Sequence, residues 1–162
     1  MTNKKFVLFG QDKSLFALDL MAVREVLVLH QQAITPVPNI VPFWLGLTNL
    51  RGEILAVGDF GRLLNVTPVH RDASESRILI VETPDPNDMR LSSMRMGLAV
   101  SFVEGVVPLN TEQIVSAVDV SEELAPFLRG LYDYQGRLLM ILDIEAISLT
   151  NMVEMQAKRS LI

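Results

Sequence analysis

The sequence carries one block twice. Phe43-Trp-Leu-Gly-Leu-Thr-Asn-Leu-Arg-Gly-Glu-Ile-Leu-Ala-Val-Gly-Asp59 lies over Phe127-Leu-Arg-Gly-Leu-Tyr-Asp-Tyr-Gln-Gly-Arg-Leu-Leu-Met-Ile-Leu-Asp143 without a gap, 84 residues apart. Upstream, Leu18–Leu27 falls on Leu98–Val107 and Ile34 on Ile114 at a spacing of 80, and Phe6–Phe9 falls on Ile78–Val81 at a spacing of 72. The spacing changes only where polar, glycine- or proline-containing stretches predict loops. Solenoid repeats run to about 20–50 residues, so a period near 80 points to two similar subdomains.

Within the block, Leu45 and Leu47 alternate with smaller or polar neighbours, Asn49-Leu-Arg-Gly52 supplies turn chemistry, and Ile54–Val57 resumes a β-forming pattern. This predicts a hairpin, with Asn49 bonded to nearby backbone and Gly52 at positive φ in a bulged turn. Phe6–Phe9 and Leu15–Leu20 around Gly10–Lys13 predict a first hairpin. Ala22–Val26 reads as a helical turn or a bend into a strand. Thr35-Pro-Val-Pro-Asn39 and Pro42 require an extended connection. Asp59 is placed to cap a short helix over 60–64. The polar stretch 67–76 reads as a linker, and Arg77–Glu82 as a buried-type strand. The Pro- and Asp-rich 83–93 reads as a surface loop. Met94–Phe102 alternates like a strand, its methionines read as core filler, and Val106–Leu109 reads as another strand. Residues 111–123 form a polar connection, partly helical.

Each copy therefore holds about five short strands, the complement of a small closed barrel, and closure removes exposed sheet edges. The expected fold is all-β: two five-stranded barrels with short helical turns. Subdomain 1 covers about 14–70 plus the first strand at 5–10, subdomain 2 covers about 77–148, and 150–162 is a tail. One continuous β-sandwich is the competing arrangement.

Composition removes several functions. At 162 residues with net charge −5, the chain lacks the clustered Lys and Arg that a nucleic-acid surface needs. Without cysteine it has no disulfide framework, thiolate nucleophile or thiolate metal site. The apolar run Phe6–Phe9 is too short for a signal or a membrane span, which makes a cytoplasmic location the expectation. His30 and His70 stand apart in loop-like contexts, no phosphate-loop or nucleophile-elbow motif occurs, and Asp85 and Asp88 sit among prolines as solvated loop residues. Asp59 and Asp143 occupy equivalent strand ends, which suits helix capping better than a carboxylate pair. No catalytic, cofactor or metal residue is expected.

The two copies also separate turn from function. Asn49 and Gly52 have counterparts in Asp133 and Gly136, so hairpin geometry accounts for all four. Leu50 and Arg51 do not, because Tyr134 and Gln135 stand there in the second copy. Glu25 likewise falls on Gly105. The copy with the acid has the base, so Glu25 and Arg51 are expected to touch, with Glu104 as the acid available to the second copy.

At Gly46–Asp59 the chain resembles the CheW family of chemotaxis coupling proteins. So do Val23-Arg-Glu-Val26, Ile34-Thr-Pro-Val-Pro-Asn39 and Leu138–Asp143, over roughly residues 5–148. The resemblance implies two five-stranded SH3-like barrels and a non-enzymatic, cofactor-free adaptor. It would join the signalling tips of methyl-accepting chemoreceptors to the regulatory domain of a CheA-type histidine kinase, at membrane receptor arrays. It further implies that Val23, Glu25 and Arg51, with Leu50 beside them, lie where the first barrel meets partners. Val103 and Val106 would help line an apolar groove between the barrels that accepts a receptor helix. Two positions depart from the family: Ala56 stands where proline is usual, and Gly58 where a branched residue is usual. A small-ligand-binding β-barrel regulator is the competing function, and an enclosed cavity would distinguish it.

Overall fold

The computed structural model describes residues 3–84, 93–117, 120–122 and 124–147. Ten strands form two five-stranded sheets. In chain order they are β1 (Asn3–Gln11), β2 (Ser14–Asp19), β3 (Val23–Val28), β4 (Trp44–Leu50), β5 (Glu53–Asp59), β6 (Arg77–Pro84), β7 (Ser93–Val100), β8 (Phe102–Asn110), β9 (Leu128–Tyr134) and β10 (Arg137–Leu142). A four-residue helix α1 (Phe60–Leu63) follows β5.

One sheet runs β3-β6-β7-β5-β4 and the other β8-β1-β2-β10-β9. Replacing each strand by its counterpart in the other copy converts one order into the other, so the duplication seen in the sequence is a duplication of the fold. Matching irregularities support this: β3 bulges between Val23 and Glu25 opposite β6, and β8 bulges between Val103 and Gly105 opposite β1. Each sheet curls until its ends meet through one bridge, Thr35 with Leu47 in the first and Val115 with Leu131 in the second.

The expected division of the chain is corrected by this topology. Strands β1 and β2, assigned to the first subdomain, pair with β8 and β10 of the other sheet, and β6 and β7, assigned to the second, pair with β3 and β5. The first barrel is thus the continuous stretch 23–100, inserted into a second barrel made from 3–19 and 102–142. The backbone crosses between them twice, through a 3-10 turn at Leu20–Ala22 and at Ser101. The stretch 67–76 is not a linker between barrels: Val69 is buried in the first barrel's core, and the Ser76 hydroxyl donates to the His70 carbonyl at 2.7 Å. The Met94–Phe102 strand is likewise two elements, β7 ending at Val100 and β8 starting at Phe102. Asp85, Asp88 and 150–162 lie outside the described residues.

Strand alternation makes three cores from two sheets, because successive side chains point to opposite faces. Inward residues fill the barrels, with Leu29, Ile34, Leu55, Val57, Val69 and Ile78 in the first and Phe6, Leu8, Leu109, Tyr132, Leu139 and Ile141 in the second. Outward residues of the same strands build the largest cluster, between the barrels, where Phe9, Phe16 and Phe60 pack with ring centroids 4.7–5.7 Å apart. Met96 belongs to this core, whereas Met21, at the crossing, is 85% exposed.

Candidate partner-binding surface

The hairpin of the repeated block is a two-residue turn. Leu50 pairs with Glu53, and Arg51 and Gly52 take φ of 50° and 90° between them. Two positive φ values match the twist of the flanking strands, so no bulge is needed at the tip, contrary to expectation. The irregularity lies at the other end, between Trp44 and Gly46. Asn49 Oδ1 accepts from the Gly52 amide at 2.8 Å, three residues on, and Asp133 Oδ1 from the Gly136 amide at 2.9 Å. Gln135 and Gly136 repeat the φ pattern at 53° and 83°. Asn49, Gly52, Asp133 and Gly136 are turn residues.

Positive φ aims Arg51 back at β3. Its guanidinium meets Glu25 in a fork, Nη1 to Oε1 at 3.1 Å and Nη2 to Oε2. β3 and β4 are the two ends of the first sheet, so the pair spans the closing seam. The Arg51 hydrogen bond holds the Glu25 carboxyl below its ordinary range, and Glu25 raises Arg51. The second barrel closes with a different pair: Arg137 donates to Glu104 Oε1 at 2.8 Å and Oε2 at 3.2 Å. The base has moved from the turn to the first residue of β10, and the acid sits in the bulge of β8.

Leu50 is half-buried against the first barrel's core and is not a free contact. Val23 and Val103, at equivalent positions, both pack partly against the core between the barrels. Val106 is 51% exposed on β8, and its counterpart Val26 is 42% exposed on β3. The duplication also leaves Ile54 and Leu138 exposed at equivalent positions of β5 and β10. Of these four the sequence reading singled out Val106 and missed Val26, Ile54 and Leu138, although their signal was present: large apolar residues on strand faces whose neighbours are charged.

Glu82 was also missed. It is contacted by Arg24, by Arg95 at 3.6 Å and by the Ser93 hydroxyl, and its pKa is lowered, first by the Ser93 bond and then by Arg24. Asp59 caps α1 by accepting from the Arg62 amide at 3.1 Å and also takes the Val69 amide at 3.1 and 3.2 Å. Asp143 accepts from Glu145 at 3.1 Å and Ala146 at 3.3 Å, so both act as caps. His30 and His70 are exposed. Among the described residues no group of three His, Asp or Glu could hold a metal, and no helix is long and apolar enough to cross a membrane.

Gly58 has a local cause. A Cβ there would stand 2.1 and 2.2 Å from the Phe43 ring, so the ring occupies the space of the family's branched side chain.

Two side-chain-filled barrels fused face to face, closed by ion pairs and offering exposed apolar residues, define a duplicated SH3-like β scaffold. Residues 5–150 match the family model for the CheW-like domain, and the chain belongs to that family. It is 30% identical over 139 residues to the chemotaxis protein CheW of Thermotoga maritima, covering 86% of this chain and 83% of the relative. To CheW of Bacillus subtilis it is 26% identical over 147 residues, covering 90% and 87%. The crystal structure of the scaffolding protein TtCheW from Thermoanaerobacter tengcongensis superposes with a TM-score of 0.75 at 28% identity, covering 89% of this chain and 86% of that one.

Proposed function

We propose that this chain is a non-catalytic cytoplasmic adaptor that couples chemoreceptor signalling tips to the regulatory domain of a CheA-type histidine kinase, recruited to membrane receptor arrays and working without a cofactor. The observation that carries the reading is family membership over nearly the whole chain. The exposed valines Val26 and Val106, each beside a closing ion pair, support it. The first barrel would meet the kinase domain around Glu25, Leu50 and Arg51, and a receptor helix would lie at the junction edged by Val23, Val103 and Val106. Arg51 is the contact, with Leu50 holding the turn from beneath. Both barrel interiors are filled by side chains, which weighs against an enclosed small-ligand site. A pull-down with a CheA regulatory domain and a receptor-tip fragment tests the reading; capture of neither would sink it.

A further inference from the structure

The duplication provides an internal control for every position near the junction. On one side the equivalent space is filled. Gln11, at the end of β1, is 2% exposed, and its carboxamide donates to the Thr67 carbonyl at 3.0 Å and accepts from the Ser101 hydroxyl at 3.0 Å. The Phe102 ring covers Gly10 beside it. On the other side the two groups that do the filling, Gln11 and Phe102, are replaced by the shorter Thr83 and Ala22. Register fixes the equivalence: Gln11 pairs with Ser14 as Thr83 pairs with Met94, and Ala22 stands where Phe102 stands. What remains is a notch of about 200 Å³ with Leu18, Ala22, Leu142 and Ile144 on its walls.

The polar groups of this notch are incompletely matched. Thr83 lines it, is 4% exposed, and its hydroxyl has no hydrogen-bond partner among the described residues. An orphaned buried hydroxyl is costly, and its presence asks for a partner. Arg129 lines the notch and makes no hydrogen bond or ion pair among the described residues. Both can donate to one oxygen acceptor. Asp19 and Glu82 also line the notch but are compensated by Lys4 and by Arg24 and Arg95, whereas Glu145 lines it with no cation paired to it among the described residues. Glu145 would repel a carboxylate while accepting from an amide N–H. A carboxamide meets both demands, and it is the group that Gln11 supplies in the filled half.

We propose that this notch takes an asparagine or glutamine side chain from a protein partner lying along the junction, with its oxygen on Thr83 and Arg129 and its NH₂ towards Glu145. The source of the side chain rests on the adaptor reading above. Continuity with that surface favours a partner, since Met21 and Ala22 on the notch rim adjoin Val23. The second barrel needs no further segment to complete its core, because Tyr132 fills it and bonds the Asn110 amide and Gln113, each at 3.2 Å.

Two measurements test this. NMR titration of the full chain with acetamide should shift Thr83, Arg129 and Ile144, sodium acetate should not, and Thr83→Val should abolish the response. A response to neither probe, or an equal response to acetate, overturns the proposal. Independently, each Asn and Gln of a receptor-tip fragment is replaced by Ala. One replacement should weaken binding to the wild type about tenfold and to Thr83→Val by less than twofold. Equal effects on both proteins overturn the notch while leaving the adaptor reading intact. If neither tip nor kinase domain binds, the adaptor reading fails and the acetamide titration decides the notch alone. Nuclear Overhauser contacts between the Thr83 methyl and residues 148–162 in the free protein would give the notch to the chain's own end, and would also overturn it.

Discussion

Arg51 holds a left-handed backbone conformation that glycine or asparagine adopts more cheaply, and in return its guanidinium reaches Glu25. This pair was legible because the second copy lacks both members. The Glu104–Arg137 pair was only half legible, since its base moved two residues along the hairpin. Glu25→Ala and Arg51→Ala should give non-additive losses in a double-mutant cycle of urea midpoints; strict additivity would remove the coupling. The Glu25 pKa is lowered in the fold, so its stabilisation is fully present above the unfolded carboxylate value of about 4.3 and is lost as pH falls through the folded value. The midpoint difference between wild type and Arg51→Ala should therefore close on acidification. Asp59 has the opposite sign. Burial raises its pKa against the Arg62 and Val69 hydrogen bonds, so its ionisation opposes folding above the folded value, and this opposition fades as pH falls towards the unfolded value. Asp59→Asn should flatten that part of the stability–pH curve. Asp59→Ala, which strands the Val69 amide, should cost about 2 kcal/mol.

At the level of elements, the turns were legible from their chemistry and the bulges were not, because a bulge depends on which strand lies opposite. Gly136→Ala places a side chain at φ 83° and should cost about 1 kcal/mol in chemical denaturation without altering partner capture. Gly58→Val, which restores the family's branched residue, should destabilise by about 1–3 kcal/mol by driving a Cβ into the Phe43 ring. Trimming that ring with Phe43→Leu should recover part of the loss in a thermal melt; if it recovers none, the ring is not the obstacle. The stretch 67–76 misled because polar composition marks surface backbone, whereas one buried side chain, Val69, decides that it is pinned to a core.

For the whole molecule, the duplication revealed two barrels but not which strands share them. β1–β2 and β6–β7 carry matching patterns, so each hairpin suits the last three strands of either copy, and only the packing between barrels selects. Because the largest core lies between the barrels and Leu20 and Ala22 of one crossing pack against it, unfolding should be a single transition. Trp44 fluorescence and far-UV circular dichroism should coincide in urea, and separated midpoints would show that the barrels melt independently. The inserted arrangement also sets a timetable during synthesis. The first barrel has all its strands once residue 100 has emerged, while β1 waits for β8 and β2 waits for β10, which ends at Leu142. At about 5–20 residues per second the ribosome takes roughly 2–8 s to make that stretch. The earliest hairpin on the nascent chain has its β1 edge covered once β8 is complete at Asn110, but its β2 edge stays open for the rest of that interval, and the second barrel closes only when the last-made strand arrives beside the first-made pair.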